Sequence, residues 1–185
     1  MTEPDNKLMA AVEAALYAAD EPVPAARLAE VLTKARVLAV EDVPAVQSAC
    51  LHLEDRYRAT GSGLQIFEIA GGYRVGTRPG LDDIVRALRH VEKPSRLSIP
   101  VLETLAIVAY RQPATTAEIQ AIRGRDPGAA LRRLRDMGLV KITGRRQAVG
   151  RPFTYGTTDK FLELFGLRDL EELPAPEEFQ ELLEA

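Results

Sequence analysis

The sequence is poor in the residues that carry most catalytic and metal chemistry. It has one cysteine, Cys50, two histidines, His52 and His90, and no tryptophan in 185 residues. A single thiol excludes an internal disulfide and any zinc site assembled from several cysteines. The histidines stand apart, outside any metal-ligating pattern of the His-Glu-x-x-His kind, and both read as surface residues. No apolar run approaches the roughly 20 residues of a membrane span. The opening MTEPDNK is acidic and polar, unlike a secretory signal. Phosphate loops, the dinucleotide fingerprint and the nucleophile elbow are missing, and Gly61-Ser62-Gly63 leads into a strand pattern instead of a helix. The expectations are a protein of the reducing cytoplasm that is no enzyme and uses no cofactor, metal or membrane. Cys50 lies on an apolar helical stripe and reads as a small core residue.

What the chain does have is an uneven charge. The net charge is −3, yet residues 123–151 hold nine Lys/Arg against two acids. Residues 169–185 hold seven acids and no base. Such a split points to an anionic partner, to screening of the basic face by the acidic segment, or simply to a solvated helix face.

The pattern from Leu97 to Thr158 is three short helices and two strands. Ser98 is an N-cap candidate, with Leu97 and Leu102 placed for a hydrophobic staple. The first helix runs to Gln112-Pro113. Thr115 and Glu118 form a capping box for the second, which ends near Gly124. Asp126 reads as the cap of the third with Pro127 at its first position, and Gly138 as its left-handed terminator. Leu139–Ile142 and Phe153–Tyr155 are strands around the basic loop TGRRQAVGRP. This is the plan of a winged helix.

Residues 1–90 repeat the plan. Leu8, Val12, Ala15 and Ala19 make one stripe; a second helix starts at Pro24; a third spans Val43 to Thr60. Two strands then meet at Gly71-Gly72, a tight hairpin signal, and a last helix carries Leu81, Ile84, Val85 and Leu88. The expected fold class is mostly α with small β-hairpins (α+β), as two tandem winged-helix domains. Their expected limits are 1–91 and 98–168, joined by a proline-stiffened linker at 92–97 and followed by a flexible acidic tail at 169–185.

In the third helix of the second half, Arg132 and Arg135 share the outer face, with Arg133 at its flank. In a DNA-reading winged helix that face enters the major groove, while Arg145, Arg146 or Arg151 would meet phosphate. No Asn or Gln stands there to read adenine, and Asp136 sits among the arginines. Direct contact with DNA is therefore expected to be weak, and a DNA-binding transcriptional regulator is the alternative reading.

The stretches LETLAIVAYRQPATTAEIQAIRG, GRPFTYGTTDKFLELFGL and GSGLQIFEIAGGYRV together resemble segregation and condensation protein B, the accessory subunit of the bacterial SMC–kleisin condensin. The likeness covers about residues 5–173. The resemblance implies a homodimer formed through the first domain and a kleisin subunit, and through it SMC, held by the second. It implies a role in chromosome condensation and segregation, in a cytoplasmic protein associated with the nucleoid. On this reading Tyr110 and Tyr155 are candidate anchors for the kleisin, with Arg123 and Arg151 at the edge. Arg125-Asp126-Pro127 departs from the serine-containing loop usual in that family.

Overall fold

The computed structural model describes residues 5–89 and 97–175. His90, the linker at 92–96 and the acidic residues from 176 on lie outside the described residues. The chain divides into two compact units, residues 1–93 and 94–185.

The first unit contains helices α1 (Asn6–Ala18), α2 (Ala25–Lys34) and α3 (Val43–Ala59), strands β1 (Leu64–Ile69) and β2 (Gly72–Thr77), and helix α4 (Asp82–Arg89). Asp5 and Asp42 cap α1 and α3 by accepting the N–H of Lys7 and Ala45. Val12, Leu16, Leu28, Val46 and Leu53 are buried between the three helices, each stabilising the unit by about 1.5–3 kcal/mol relative to exposure. Cys50 is buried among them, and desolvation, with the Glu68 charge adding to it, pushes its thiol up to about 12. That is the state of a packed hydrophobe, not of a nucleophile. Glu13 of α1 clamps α3 by accepting from Arg56 at 2.6 Å and from the Tyr57 hydroxyl. Burial first, then that carboxylate, push the phenol up to about 12. His52 is half-buried and not a surface residue, because its Nδ1 lies 2.7 Å from the Ser48 carbonyl one helical turn earlier.

Two details of this hairpin differ from the sequence pattern. The turn is Ala70-Gly71, both at positive φ (50° and 69°), while Gly72 is the first residue of β2 and pairs with Ile69. Gly72 is glycine for a different reason: a Cβ there would stand 2.8–2.9 Å from the backbone of Pro22 and Val23. That close approach permits the antiparallel bridge Val23↔Tyr73, with both N–H···O distances 2.9 Å.

The second unit contains α5 (Ile99–Arg111), β3 (Ala114–Thr115), α6 (Thr116–Arg123), α7 (Gly128–Asp136), β4 (Val140–Arg145), β5 (Phe153–Thr157) and α8 (Asp159–Phe165). Its sheet has the order β3-β5-β4, with β5 antiparallel to both neighbours. Helix, strand, two helices, then a hairpin whose second strand lies beside the first strand is the winged-helix arrangement. Leu105, Val108, Ile119, Leu131, Leu134, Leu139 and Phe161 form the core. The chain is thus α+β, as the pattern indicates.

The capping box forms as read: the Thr115 hydroxyl accepts from Glu118 N–H, and the Glu118 carboxylate accepts from Thr115 N–H at 2.7 Å. Gly124, Gly138 and Gly166 sit at positive φ just beyond their helices. Three local readings need correction. Pro127 is the N-cap of α7 and not its first residue, and Asp126 acts from one position further out, its Oδ1 accepting from Gly128 N–H at 3.0 Å. Ser98 holds the N-cap position of α5 without a side-chain bond: Pro100 at the second position has no N–H to give, and the Val101 N–H donates to the Ser98 carbonyl at 2.9 Å instead of to its hydroxyl. Finally, β4 continues to Arg145, through a register shift between Ile142 and Gly144, so the wing is longer in strand and shorter in loop.

Gln112 closes the gap between α5 and the sheet. Its Nε2 donates to the Ala109 carbonyl and to Thr157 Oγ1, and its Oε1 accepts from Thr157 N–H at 2.7 Å. Pro113 beside it has no N–H to offer.

Candidate functional site

Helix α5 has two faces. Thr104, Leu105 and Val108 enter the core, whereas Leu102, Ala106 and Tyr110 repeat every four residues along the outer stripe. Helix α8 sets Phe161 and Phe165 beside that stripe, their rings 4.9 Å apart and tilted by 46°. Leu173 and Pro174 close the far side. The result is an open groove of about 450 Å³, lined almost wholly by carbon. This volume lies within the usual range for ligand sites.

The far wall needs explanation, because it comes from a stretch assigned to the flexible tail by composition. Asp169 caps a short 3₁₀ turn, Leu170–Glu172, by accepting from Glu171 N–H. Glu172 accepts from Arg168 N–H at 2.6 Å and pairs with its guanidinium. The backbone N–H bond first, then the guanidinium, hold the Glu172 carboxyl below its ordinary range. Leu173 packs against the core cluster, and the Tyr110 hydroxyl donates to the Pro174 carbonyl at 2.6 Å. Residues 169–175 are therefore folded onto the second unit.

Tyr110 is the one singled-out residue that lines the groove. Tyr155 is elsewhere, half-buried in the middle of β5 with its Cα opposite Ala114 and Ile142. Arg123 is turned inward with 8% of its side chain exposed, donating to Glu103 at 3.1 Å and to the Asp126 carbonyl at 3.0 Å. It braces the loop before α7. Arg151 lies at the wing tip with φ 42°, and its carbonyl accepts weakly from Arg145 at 3.5 Å. Arg145 stacks on the Phe153 ring at 4.2 Å.

Arg146 reaches back to α6, donating to the Pro113 carbonyl at 2.9 Å and to Glu118 at 3.0 Å. Glu118 is held below its usual carboxylate range by the Thr115 N–H first, then by the Thr115 hydroxyl and Arg146. Arg132, Arg133 and Arg135 are exposed on α7, and no ion pair ties them to another described residue. Among the described residues no group of three or more His, Cys, Asp or Glu could hold a metal, and no helix is long and apolar enough to cross a membrane.

A second unit with the winged-helix arrangement, presenting a carbon-lined groove and an exposed basic helix, defines an α+β protein built around a winged helix. A family model described as Segregation and condensation complex subunit ScpB matches residues 10–176. The chain belongs to that family, an accessory subunit of the chromosome segregation and condensation complex. Segregation and condensation protein B of Syntrophotalea carbinolica is 44% identical over 95% of this chain and 85% of that protein. The protein of the same name from Myxococcus xanthus is 41% identical over 96% of this chain, which spans only 51% of its length. The crystal structure of ScpB from Mycobacterium tuberculosis is 33% identical, covering 90% of this chain and 99% of that one at a TM-score of 0.39.

Proposed function

We propose that this protein is a non-enzymatic condensin subunit that homodimerises through its first unit and holds a kleisin segment, and through it SMC, with its second. The observation that carries the reading is the groove between α5 and α8. An apolar stripe at helical spacing, open on one side and ending at a tyrosine, is the surface into which an amphipathic helix lays its own apolar face. Tyr110 is the anchor at one end; Tyr155 supports the sheet behind, and Arg151 contacts the partner from the wing. Arg123 contributes by fixing Glu103 and the α6–α7 loop. Such a protein works in the cytoplasm on the nucleoid, in chromosome compaction and partition.

For the homodimer, the support is in the first unit. Ile84 and Leu88, four apart on α4, are 67% and 78% exposed, and Tyr17 on α1 is 80% exposed. An interface of about 1,600 Å² in total would be of ordinary size. Light scattering of the full chain should give twice its 20.3 kDa mass; Ile84→Glu with Leu88→Glu should return it to one chain.

Ala106→Glu tests the groove by placing a charge on its exposed floor without opening the core. Capture of the central region of the kleisin should fall about thirtyfold or more, the loss of roughly 2 kcal/mol typical of a central interface position. Unchanged capture by a folded variant overturns the assignment. One observation favours a second reading: Arg132, Arg133 and Arg135 form an exposed cationic face. If that face binds DNA, a random duplex will shift with the protein at physiological salt, and the triple Arg→Ala variant will not shift it.

A further inference from the structure

The second unit carries another concavity besides the carbon-lined groove. Arg111 at the end of α5, Ala114 in β3, Glu118 and Ile122 one turn apart on α6, and Arg146 from the wing enclose about 210 Å³. Its carboxylate is already engaged. Glu118 accepts from the Thr115 N–H and hydroxyl at 2.7 and 2.9 Å, and from Arg146 on both oxygens at 3.0 Å. Arg146 makes those bonds, and the one to the Pro113 carbonyl, through Nη2 alone. Its Nε and Nη1 have no partner among the described residues, and neither has the Arg111 guanidinium. A guanidinium carries five N–H donors and no acceptor. The pocket therefore offers donors, with two cations against one anion. Carbon stands beside them: Ala114 is buried, and Ile122 leaves 57% of its surface exposed.

We propose that this pocket is a docking site for an acidic side chain of a protein partner. The carboxylate of a glutamate or aspartate meets Arg111 and the open donors of Arg146, and an apolar neighbour of that residue packs on Ile122. Guanidinium and carboxylate match as planar forks, so the pair fixes direction as well as charge. Duplex DNA fits less well. Its phosphates form a continuous line of charge that would run against Glu118, whose side chain is 51% exposed. Phosphate also gains nothing from an isoleucine at its side. A lone carboxylate on an aliphatic stem avoids the first difficulty and uses the second feature. The pocket shares no lining residue with the groove between α5 and α8, so the inference holds whether or not a kleisin segment lies there.

The experiment is an NMR titration of the full chain with the peptide acetyl-Leu-Glu-Leu-amide. It is read on the arginine Nε–H signals, the amides of residues 114–122 and the Ile122 methyl groups. Saturable shifts are expected at Arg111, Ala114, Ile122 and Arg146. The isosteric acetyl-Leu-Gln-Leu-amide should bind about tenfold more weakly, the loss of a hydrogen bond to a charged group. Arg111→Gln should weaken the acidic peptide by the same factor and Ile122→Ser by a smaller one, whereas Arg132→Gln on α7 should leave its affinity unchanged. Absence of saturable shifts at these residues overturns the proposal, as does equal binding of the two peptides or unchanged affinity in a folded Arg111→Gln variant. A loss as large from Arg132→Gln overturns it too, since the attraction would then be the general charge of the unit. A short random DNA duplex that moves the same signals at lower concentration than the peptide would reassign the pocket to phosphate. Should Arg111→Gln fail to fold, the two peptides still decide on the parent chain.

Discussion

The two units share an order of elements and differ in how the hairpin meets the helices. In the second, Ala114-Thr115 is a true strand at the sheet edge, giving three strands. In the first, its place is taken by the single bridge Val23↔Tyr73. There the backbone of Pro22-Val23 presses directly on Gly72, with no room for a side chain. The second unit spreads the same job over a wider sheet and a wing tied down by Arg146. Its last helix is packed by Phe161, whereas α4 has no buried residue. One plan has produced a tight hairpin with an exposed helix, and a broad sheet with a groove. The lesson is that the same connectivity leaves different faces unfilled: the outer face of α4 in the first unit and the groove between α5 and α8 in the second.

The largest effects test whether the two cores are equivalent. Leu53 and Leu134 are fully buried, one in each unit. Leu53→Ala and Leu134→Ala should each cost about 2–5 kcal/mol in urea denaturation. A loss under about 1 kcal/mol in either would show that its core is loosely packed. Next is the close approach: Gly72→Ala should cost about 3 kcal/mol, at the top of the usual range for overpacking, because backbone must move. Gly144→Ala, whose Cβ would meet only Thr154 Oγ1 at 3.6 Å, should change stability far less. Equal effects would refute the idea that the first hairpin is the tighter one.

Smaller effects separate the helix starts. Thr115→Ala removes a capping hydroxyl and should cost about 1 kcal/mol. Helix α2 has Pro24 at its N-cap, with no side-chain cap to lose, so Pro24→Ala has no equivalent penalty. The smallest concerns Glu118. Its carboxyl is held below the ordinary range when folded, so its contribution is present at neutral pH and is lost as pH falls through that lowered value. Glu118→Gln should therefore be slightly less stable than the parent at pH 7. The difference should close on acidification, read as converging thermal midpoints.

Much of the fold was legible because its signals are local. A capping box needs four residues, and a glycine after an apolar stripe needs one; Thr115, Glu118, Gly124, Gly138 and Gly166 all act within their own turn. The strand Ala114-Thr115 was not legible, since two residues have no period and are defined by β5 forty residues away. The Gly71-Gly72 pair looked like one turn because sequence cannot say that Gly72 answers to Pro22. The site was harder still. Tyr110 and Pro174 meet across 64 positions, and the acidic composition after Asp169 hid Leu170 and Leu173, whose apolar side chains were the available clue. Arg123 looked like a free cation because its partner Glu103 lies on another helix.

Gln112 has a consequence for how the protein behaves when concentrated. Strand β3 stops pairing with β5 at Tyr155, which would leave the donor of Thr157 open beside the end of a short edge strand. Exposed strand edges recruit further strands and start aggregates. The glutamine side chain fills that opening as a two-sided plug, and it runs so close that a Cβ on Gly156 would stand 2.7 Å from its Oε1. Replacing Gln112 by alanine would leave a template for another chain, so the first symptom of that variant should be cloudiness on storage.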